Sequence, residues 1–392
     1  MQDFDVIVIG AGAAGMLCAI EAARRGRRVL VIDHAKAPGE KIRISGGGRC
    51  NFTNLHTKPG AFLSQNPGFC ISALSRYRPA DIVALLESRR IAWHEKALGQ
   101  LFCDGSARQV VDLLVDGLRQ AGGELRLHTA VDAVARAPDG FRLALGGAQA
   151  ACRSLVIATG GKSIPKMGAT GFGYQVAAQF GVPVTPTRPA LVPLTFEPGL
   201  LQRLAPLAGV AVDVAAFAGK VRFDEAMLFT HRGLSGPAIL QISSYWREGE
   251  EIRLDMAPGV DVFASLRAAR AAHPRQGLAA ALSGRLPRRL AQLVADQAGA
   301  PERLADTPDR LLRQASEAVN AWRVKPVGSE GYRTAEVTLG GVDTRALDSR
   351  TMAVKAVPGL HFVGEVVDVT GWLGGYNFQW AWASGWCAGQ AV

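Results

Sequence analysis

Three sets of residues in this 392-residue chain have the types and spacing to do chemistry. The first is Gly10, Gly12 and Gly15, in the pattern Gly-x-Gly-x-x-Gly directly after the apolar run Asp5-Val6-Ile7-Val8-Ile9. Gly10 permits a tight turn, Gly12 lets the backbone approach a diphosphate, and Gly15 lets a helix press against a strand, while Ala19, one turn on, keeps the same face slim; Ala13 and Ala14 are candidate contacts of the ligand. The first turn of the helix that follows has N–H groups without acceptors and the positive end of the helix dipole, so an anion is its natural partner. A second apolar run, Arg28-Val29-Leu30-Val31-Ile32, ends at Asp33, an acid placed to accept hydrogen bonds from an adenosine ribose. His34 and Val131 are further candidate contacts of the same ligand. Strand, glycines, helix, strand and acid in this order specify a dinucleotide, and Asp33 suits FAD and NAD equally.

The second set is divided between two distant segments. Lys41, Ser45, Gly46, Gly47, Gly48, Arg49, Cys50 and Asn51 follow the ribose acid closely. Three consecutive glycines expose a row of backbone N–H groups, Lys41 and Arg49 add charge, and Ser45 and Asn51 can direct hydrogen bonds to ring or ribityl oxygens, which predicts a flavin contact. Gly364, Glu365, Asp368, Gly374, Gly375, Tyr376 and Asn377 lie near the other end of the sequence. A strand ending at Gly364-Glu365 and a glycine pair opening a helix predict backbone donors at the flavin N1/C2=O edge, where negative charge grows on reduction. Asp368 is assigned to ribityl or pyrophosphate-side hydroxyls, and Thr159, Gly160 and Gly161, after the apolar run Ser154–Ala158, to the adenine end. Together the segments predict a bipartite FAD site; no metal site is expected. Trp372, inside the glycine loop, could border the ring, whereas Trp382 and Trp386 read as packing together.

The third set is His231, Arg232 and Ser235. Reduction of an activated double bond needs an acid near the substrate's α-carbon and donors at its carbonyl. His231 is the candidate acid, with Arg232 and Ser235 as carbonyl or phosphate donors; the plain alternative is a turn and helix cap.

Elements of an α/β fold must hold these residues. Residues 1–188 read as the first part of a Rossmann-like FAD domain, including an apparent small sheet over Leu125–His128, Ala130–Ala135 and Phe141–Leu145. Alternating Val/Ala runs with Pro and Gly turns over 189–260 predict an inserted β domain, the Arg/Leu/Ala/Gln pattern over 261–322 a helical cap, 323–340 the return strand of the insert, and 341–392 the closing part of the FAD domain. Six scattered cysteines without a C-x-x-C pair argue against a redox disulfide, an iron–sulfur centre or a zinc site. The chain opens directly on its first strand and a charged or polar residue interrupts every long apolar run, which reads as cytoplasmic with no membrane span. The net charge of +10 is mostly arginine. Clusters such as Arg267/Arg270, Arg285/Arg288/Arg289 and Arg310/Arg313 stand at helical spacing without interleaved aromatics, so they read as solvated helix faces and nucleic acid as an unlikely partner. Oligomeric state is not legible.

The segments Gly10–Gly15, Lys41–Asn51, Ala158–Gly161 with Pro165 and Thr170–Tyr174, Phe229–Pro237, Gly340–Asp343, and Gly364-Glu365 through Gln379 resemble, in order, the motifs of the HI0933-like (BaiN/RdsA, YhiN) family of NAD(P)/FAD-dependent oxidoreductases. Asp33 stands where glutamate is common. The resemblance implies a two-dinucleotide-fold FAD domain, a β-barrel-like insert and a small helical domain. It also implies an FAD-dependent oxidoreductase, one branch being associated with reduction of conjugated enones. No second Gly-x-Gly-x-x-Gly occurs, so NAD(P)H is expected as a transient donor to the flavin, with an activated carbon–carbon double bond of a small molecule as acceptor. A flavin-dependent RNA-modifying enzyme, a flavin monooxygenase and a non-catalytic flavin-binding protein are the alternatives.

Overall fold

The computed structural model describes residues 2–392. The chain divides into two compact units, one made of residues up to Arg188 together with Val337–Val392, the other of Pro189–Glu336.

In the first unit the apolar runs become strands β1 (Gln2–Ile9), β2 (Val29–Ile32), β3 (Glu124–Arg126), β4 (Ala148–Ile157) and β5 (Leu360–Phe362). They pair in parallel in the order β3-β2-β1-β4-β5, the doubly wound arrangement. Val6–Ile9, Val29–Ile32, Leu155–Ile157 and Leu360–Phe362 are buried, as strands covered on both faces must be. Strand β4 is long enough to serve twice. Its first half pairs antiparallel with Gly140–Leu145, its second half in parallel with β5. The alternating stretch around Leu125 therefore divides differently from the sequence reading. Residues 124–126 return from helix α2 (Arg108–Gln120) to extend the parallel sheet, and only Ala133–Ala137 and Gly140–Leu145 form a hairpin. Three residues of alternation cannot distinguish these two settings.

Helix α1 (Ala13–Arg24) and helix α3 (Tyr376–Gly389) press together through small residues. A Cβ on Gly385 would collide with the carbonyl oxygen of Ala14, and one on Gly389 would lie 2.6 Å from that of Cys18. Trp382 stacks on Phe378 with ring centroids 5.9 Å apart and donates to the Phe52 carbonyl at 2.8 Å, while Trp386 lies against Tyr77 and Arg76. These two tryptophans thus fasten α3 to different neighbours.

The second unit carries a seven-stranded antiparallel sheet whose path runs Trp322–Val324, Ile252–Asp255, Ala211–Ala218, Val221–Phe229, Gly233–Ser235, Leu194–Thr195, Gly328–Ser329. Its two end strands are neighbours in sequence, linked by residues 325–327. A flat sheet would hold its edges roughly 29 Å apart at about 4.8 Å per strand, whereas that link reaches about 14 Å at most, so the sheet curls back on itself. Helices Val262–Ala272, Leu278–Leu282, Arg288–Ala298 and Asp309–Asn320 fill the excursion between Ile252–Asp255 and Trp322–Val324, burying Leu266, Leu290, Val294, Leu312 and Val319. Asn320 fastens the excursion at its base: its amide donates to Asp255 and to the Val260 carbonyl and accepts from Val262 N–H. No helix among the described residues is long and apolar enough to cross a membrane.

Candidate active site at the strand ends

The C-terminal ends of β1, β2, β4 and β5 meet along one edge of the sheet, where open α/β sheets bind ligands. At β1 the glycines divide their work visibly. Gly10 has φ +113° and a Cβ there would strike the Ala158 carbonyl; Gly15 is pressed against Gly10 and Val8. Gly12 is different. Its backbone is extended (φ −85°, ψ −172°) and a Cβ would meet nothing within 4 Å. Nothing in the protein requires glycine there, so the open space fits a ligand at the N-terminus of α1, whose first turn carries no acid.

Asp33 fixes the turn. One carboxylate oxygen accepts from Ala11 N–H at 2.7 Å and the other from Ala35 N–H at 2.9 Å, which leaves lone pairs for a ribose. Segment 128–131 runs alongside, with His128 N–H on the Ala35 carbonyl and Thr129 N–H on that of Asp33, which brings half-buried Val131 to this side. His34 is half-exposed and faces Gly168.

The loop after β2 winds through three left-handed glycines, Gly46, Gly47 and Gly48 at φ +57°, +66° and +85°, and then Cys50 at +52°. Gly46 is packed on Phe102, whereas a Cβ on Gly47 would meet nothing within 4 Å, so there the left-handed backbone and not a neighbour calls for glycine. Arg49 is exposed and Cys50 fully buried; Ser45 donates to the Ile42 carbonyl at 2.8 Å. At the end of β4, a Cβ on Gly160 would meet only the Glu365 carboxylate, at 4.0 Å, and Thr159 and Gly161 flank it.

One charged network ties three of these loops together. The Lys41 ammonium donates to Glu365 Oε2 and to Ser163 Oγ, both at 2.6 Å; Ser163 donates to Glu365 Oε1 at 2.9 Å, and Thr338 N–H to the same oxygen at 3.0 Å. Lys162 N–H in turn donates to Thr338 Oγ1 at 2.8 Å. Ser163 and Thr338 escape a sequence reading because no motif marks them; only proximity to Gly160-Gly161 would hint at the serine.

The two distant halves do come together. Asn54 donates to the Gly374 carbonyl at 2.8 Å, Thr53 to Gln379 at 2.6 Å, and a Cβ on Gly375 would strike the Thr53 carbonyl. The Asn51 amide donates to the Leu101 and Thr53 carbonyls and accepts from Gly375 N–H, each at 3.2 Å, while Gly374 packs on Gln100. Gly364 is clamped by α3: its N–H donates to Ser384 Oγ at 2.9 Å and its carbonyl accepts from Trp380 at 3.0 Å. Two side chains of this half, an amide and an acid, bond protein backbone. Asn377 bonds both backbone groups of Gly371, closing the turn ahead of α3. Asp368 is buried and accepts from Gln65 N–H at 2.9 Å, and burial pushes its carboxyl upward. Tyr376 is buried against Phe62 and Trp372.

His231, Arg232 and Ser235 belong to the second unit. His231 and Arg232 are exposed at a hairpin tip that Thr230 Oγ1 pins by accepting from Arg232 and Gly233 N–H, at 3.2 and 3.1 Å. Ser235 is half-buried on the following strand.

The six cysteines are buried and unpaired. Burial pushes the Cys70, Cys103 and Cys387 thiols up to about 11, Cys152 to about 12, and Cys18 and Cys50 higher still. None is a ready acid or nucleophile.

The model of the HI0933-like protein Rossmann domain matches residues 4–391. A ribosomal RNA dihydrouridine synthase of Escherichia coli K12 is 54% identical over all of this chain and 98% of its own length. A protein of the same name from Haemophilus influenzae is 44% identical over 98% of each chain. A 3-dehydro-bile acid delta(4,6)-reductase of Clostridium scindens is 29% identical over 98% of each. Among solved structures, a 3-ketosteroid-delta4-(5alpha)-dehydrogenase from Rhodococcus jostii RHA1 aligns with a TM-score of 0.51 at 16% identity, covering 99% of this chain and 97% of its own, a likeness of fold. Relatives of this coverage named for action on RNA overturn the expectation that nucleic acid is an unlikely partner. Helical spacing of arginines cannot separate a solvated face from one that meets a polyanion.

Proposed function

The chain belongs to the HI0933-like family of flavin-dependent oxidoreductases, and from that premise we propose that it is a dihydrouridine synthase of ribosomal RNA, reducing the C5–C6 double bond of a uridine at the expense of NADH or NADPH. The observation that carries this reading is the 54% identity, end to end, with the Escherichia coli protein of that name. The balance is uridine plus NAD(P)H plus a proton, giving dihydrouridine and NAD(P)+. The uracil C5–C6 bond is conjugated to the C4 carbonyl, so it is an activated alkene of the electronic class expected from the sequence, carried on a polyanion rather than a free small molecule. The net charge of +10 suits that carrier.

The open flank of Gly12 and the unpaired first turn of α1 would hold the diphosphate of FAD, with Ala13, Ala14 and Gly15 shaping the approach and Asp33 holding the ribose. The 45–51 loop and Gly374–Asn377 would hold the ring system, and the Lys41–Glu365–Ser163 network would keep the loops in register. When bound, FAD supplies two-electron redox chemistry between nicotinamide and alkene. His231, exposed at its hairpin tip, is the proposed proton donor, and Arg232 and Ser235 are proposed to steady the carbonyl or a phosphate.

The test is to incubate purified protein with FAD, NADH or NADPH, and ribosomal RNA from cells that lack this modification, then quantify dihydrouridine by nucleoside mass spectrometry. Dihydrouridine formed in step with nicotinamide oxidation supports the reading. Flavin reduction without dihydrouridine under either donor overturns it.

A further inference from the structure

The arginine-rich helices of the second unit carry a feature that linear spacing conceals. Helices Val262–Ala272 and Asp309–Asn320 pack side by side and bring Phe263 of the first to Arg313 of the second, the guanidinium carbon lying 4.1 Å from the ring centroid. Arg267 lies over the same ring at 5.9 Å. The acid of the group is Asp309, which accepts from Arg270 at 2.5 Å and stands 3.9 Å from Arg267. Arg270, Arg267 and Arg313 together hold its carboxyl below the ordinary carboxylate range. Arg270 is also tied to the Thr307 carbonyl at 2.8 Å and is only 26% exposed, so it serves the helix pair. Arg267, at 59% exposure, and Arg310 and Arg313, both exposed, are turned to solvent. Three arginines thus surround one carboxylate, beside a half-buried aromatic ring.

A comparable grouping elsewhere in the unit shows the contrast. Phe217 also has two guanidinium groups over its ring, from Arg253 at 3.7 Å and Arg222 at 5.4 Å. There Arg222 is spent on Asp224, which takes both its Nε and Nη2, and Asp255 adds a further negative charge nearby. That site is balanced; the one at Phe263 has surplus positive charge.

We propose that Phe263, Arg267 and Arg313 form an anchoring surface for single-stranded segments of the RNA substrate. The inference rests on the ribosomal RNA reading above and adds where the chain grips its substrate. Exposed guanidiniums take phosphates, and a guanidinium held over an aromatic ring keeps its outer plane free for a base, which requires no particular sequence.

The test uses full-length, FAD-loaded protein, a fluorescein-labelled oligouridylate, and the dihydrouridine assay. Arg267→Gln/Arg313→Gln and Phe263→Ala are compared with Arg222→Gln, with flavin content and thermal unfolding as folding controls. The double variant is expected to lose about tenfold or more in oligouridylate affinity and to flatten the slope of log K against log salt by about 1.4, two single-strand phosphate contacts. It should also raise the KM for ribosomal RNA more than it lowers kcat, while Arg222→Gln binds as wild type. Wild-type affinity and slope in a folded double variant would overturn the surface while dihydrouridine formation by the wild type leaves the function standing. Loss of oligouridylate binding in the folded double variant, with no dihydrouridine formed by the wild type, would support the surface and overturn the function. Equal loss of binding to phosphatidylserine vesicles, with oligouridylate binding unchanged, would assign the surface to a membrane and overturn the proposal.

Discussion

Gly12→Ala separates folding from cofactor binding. In the free protein the added methyl meets no atom within 4 Å and the backbone angles, φ −85° and ψ −172°, suit any residue. The apo-protein should therefore keep its stability or gain about 0.4–1 kcal/mol through a less flexible unfolded chain. The methyl would occupy the flank left open for the diphosphate, costing one charge-assisted hydrogen bond worth about 1.5–3 kcal/mol, or roughly ten- to a hundredfold or more in FAD affinity. Gly10→Ala provides the contrast. At φ +113°, with the Ala158 carbonyl in the way, it should destabilise the apo-protein by roughly 1–3 kcal/mol. The assay is chemical denaturation of both deflavinated variants beside calorimetric titration of FAD. If Gly12→Ala binds FAD like wild type, or unfolds as easily as Gly10→Ala, the open flank is not the ligand's place.

Three further outcomes are expected. Glu365→Gln keeps an oxygen for Ser163 and Thr338 but removes the charge that pairs with Lys41 and puts an NH2 donor against that ammonium, so apo stability should fall by about 1–3 kcal/mol in urea titration, and FAD release should quicken; unchanged values would remove the network from any role. Asp343 is held below the ordinary carboxylate range by Arg345, which lends stability above the unfolded-state pKa that disappears as pH falls through the depressed folded value. Asp343→Asn should thus be less stable than wild type at neutral pH, and denaturation midpoints should converge in strong acid; a gap constant across pH would refute the pairing. His231→Ala should slow dihydrouridine formation by roughly 10²–10⁴ if the imidazole is the acid, with flavin content unchanged; an undiminished single-turnover rate would return the residue to the role of a hairpin tip.

Much of the first unit is legible because parallel strands buried on both faces are continuous apolar runs. Val6–Ile9, Val29–Ile32 and Leu155–Ile157 announce themselves, and the glycines between strand and helix give their order. What escapes is whatever depends on a partner far away in the chain. Asn377 looks like a ligand-binding side chain by type, yet its amide bonds both backbone groups of Gly371, and Asp368 takes a hydrogen bond from Gln65, some three hundred positions away. Ser163 has no motif and acquires its place only because Lys41 and Glu365 converge on it. Phe263 lies fifty positions from Arg313 in sequence, so arginines that seem to lack an aromatic acquire one through helix pairing. Local pattern encodes elements; the allocation of side chains between ligand and scaffold is settled by contacts that no local window contains.

The clamp of α3 on Gly364 and on the first turn of α1 also bears on the order of events during synthesis. When β1, the glycine turn and α1 leave the ribosome, β5 and the helix that completes their surroundings are still more than 300 residues from being translated. The nascent chain must keep the buried face of α1, including Ala14 and Cys18, without its partner until Gly385 and Gly389 arrive. The strand-end edge to which β1, β4 and β5 contribute is therefore complete only once nearly the whole chain has been made. A ribosome stalled after residue 359 would hold a chain with its dinucleotide fingerprint made and its clamp missing.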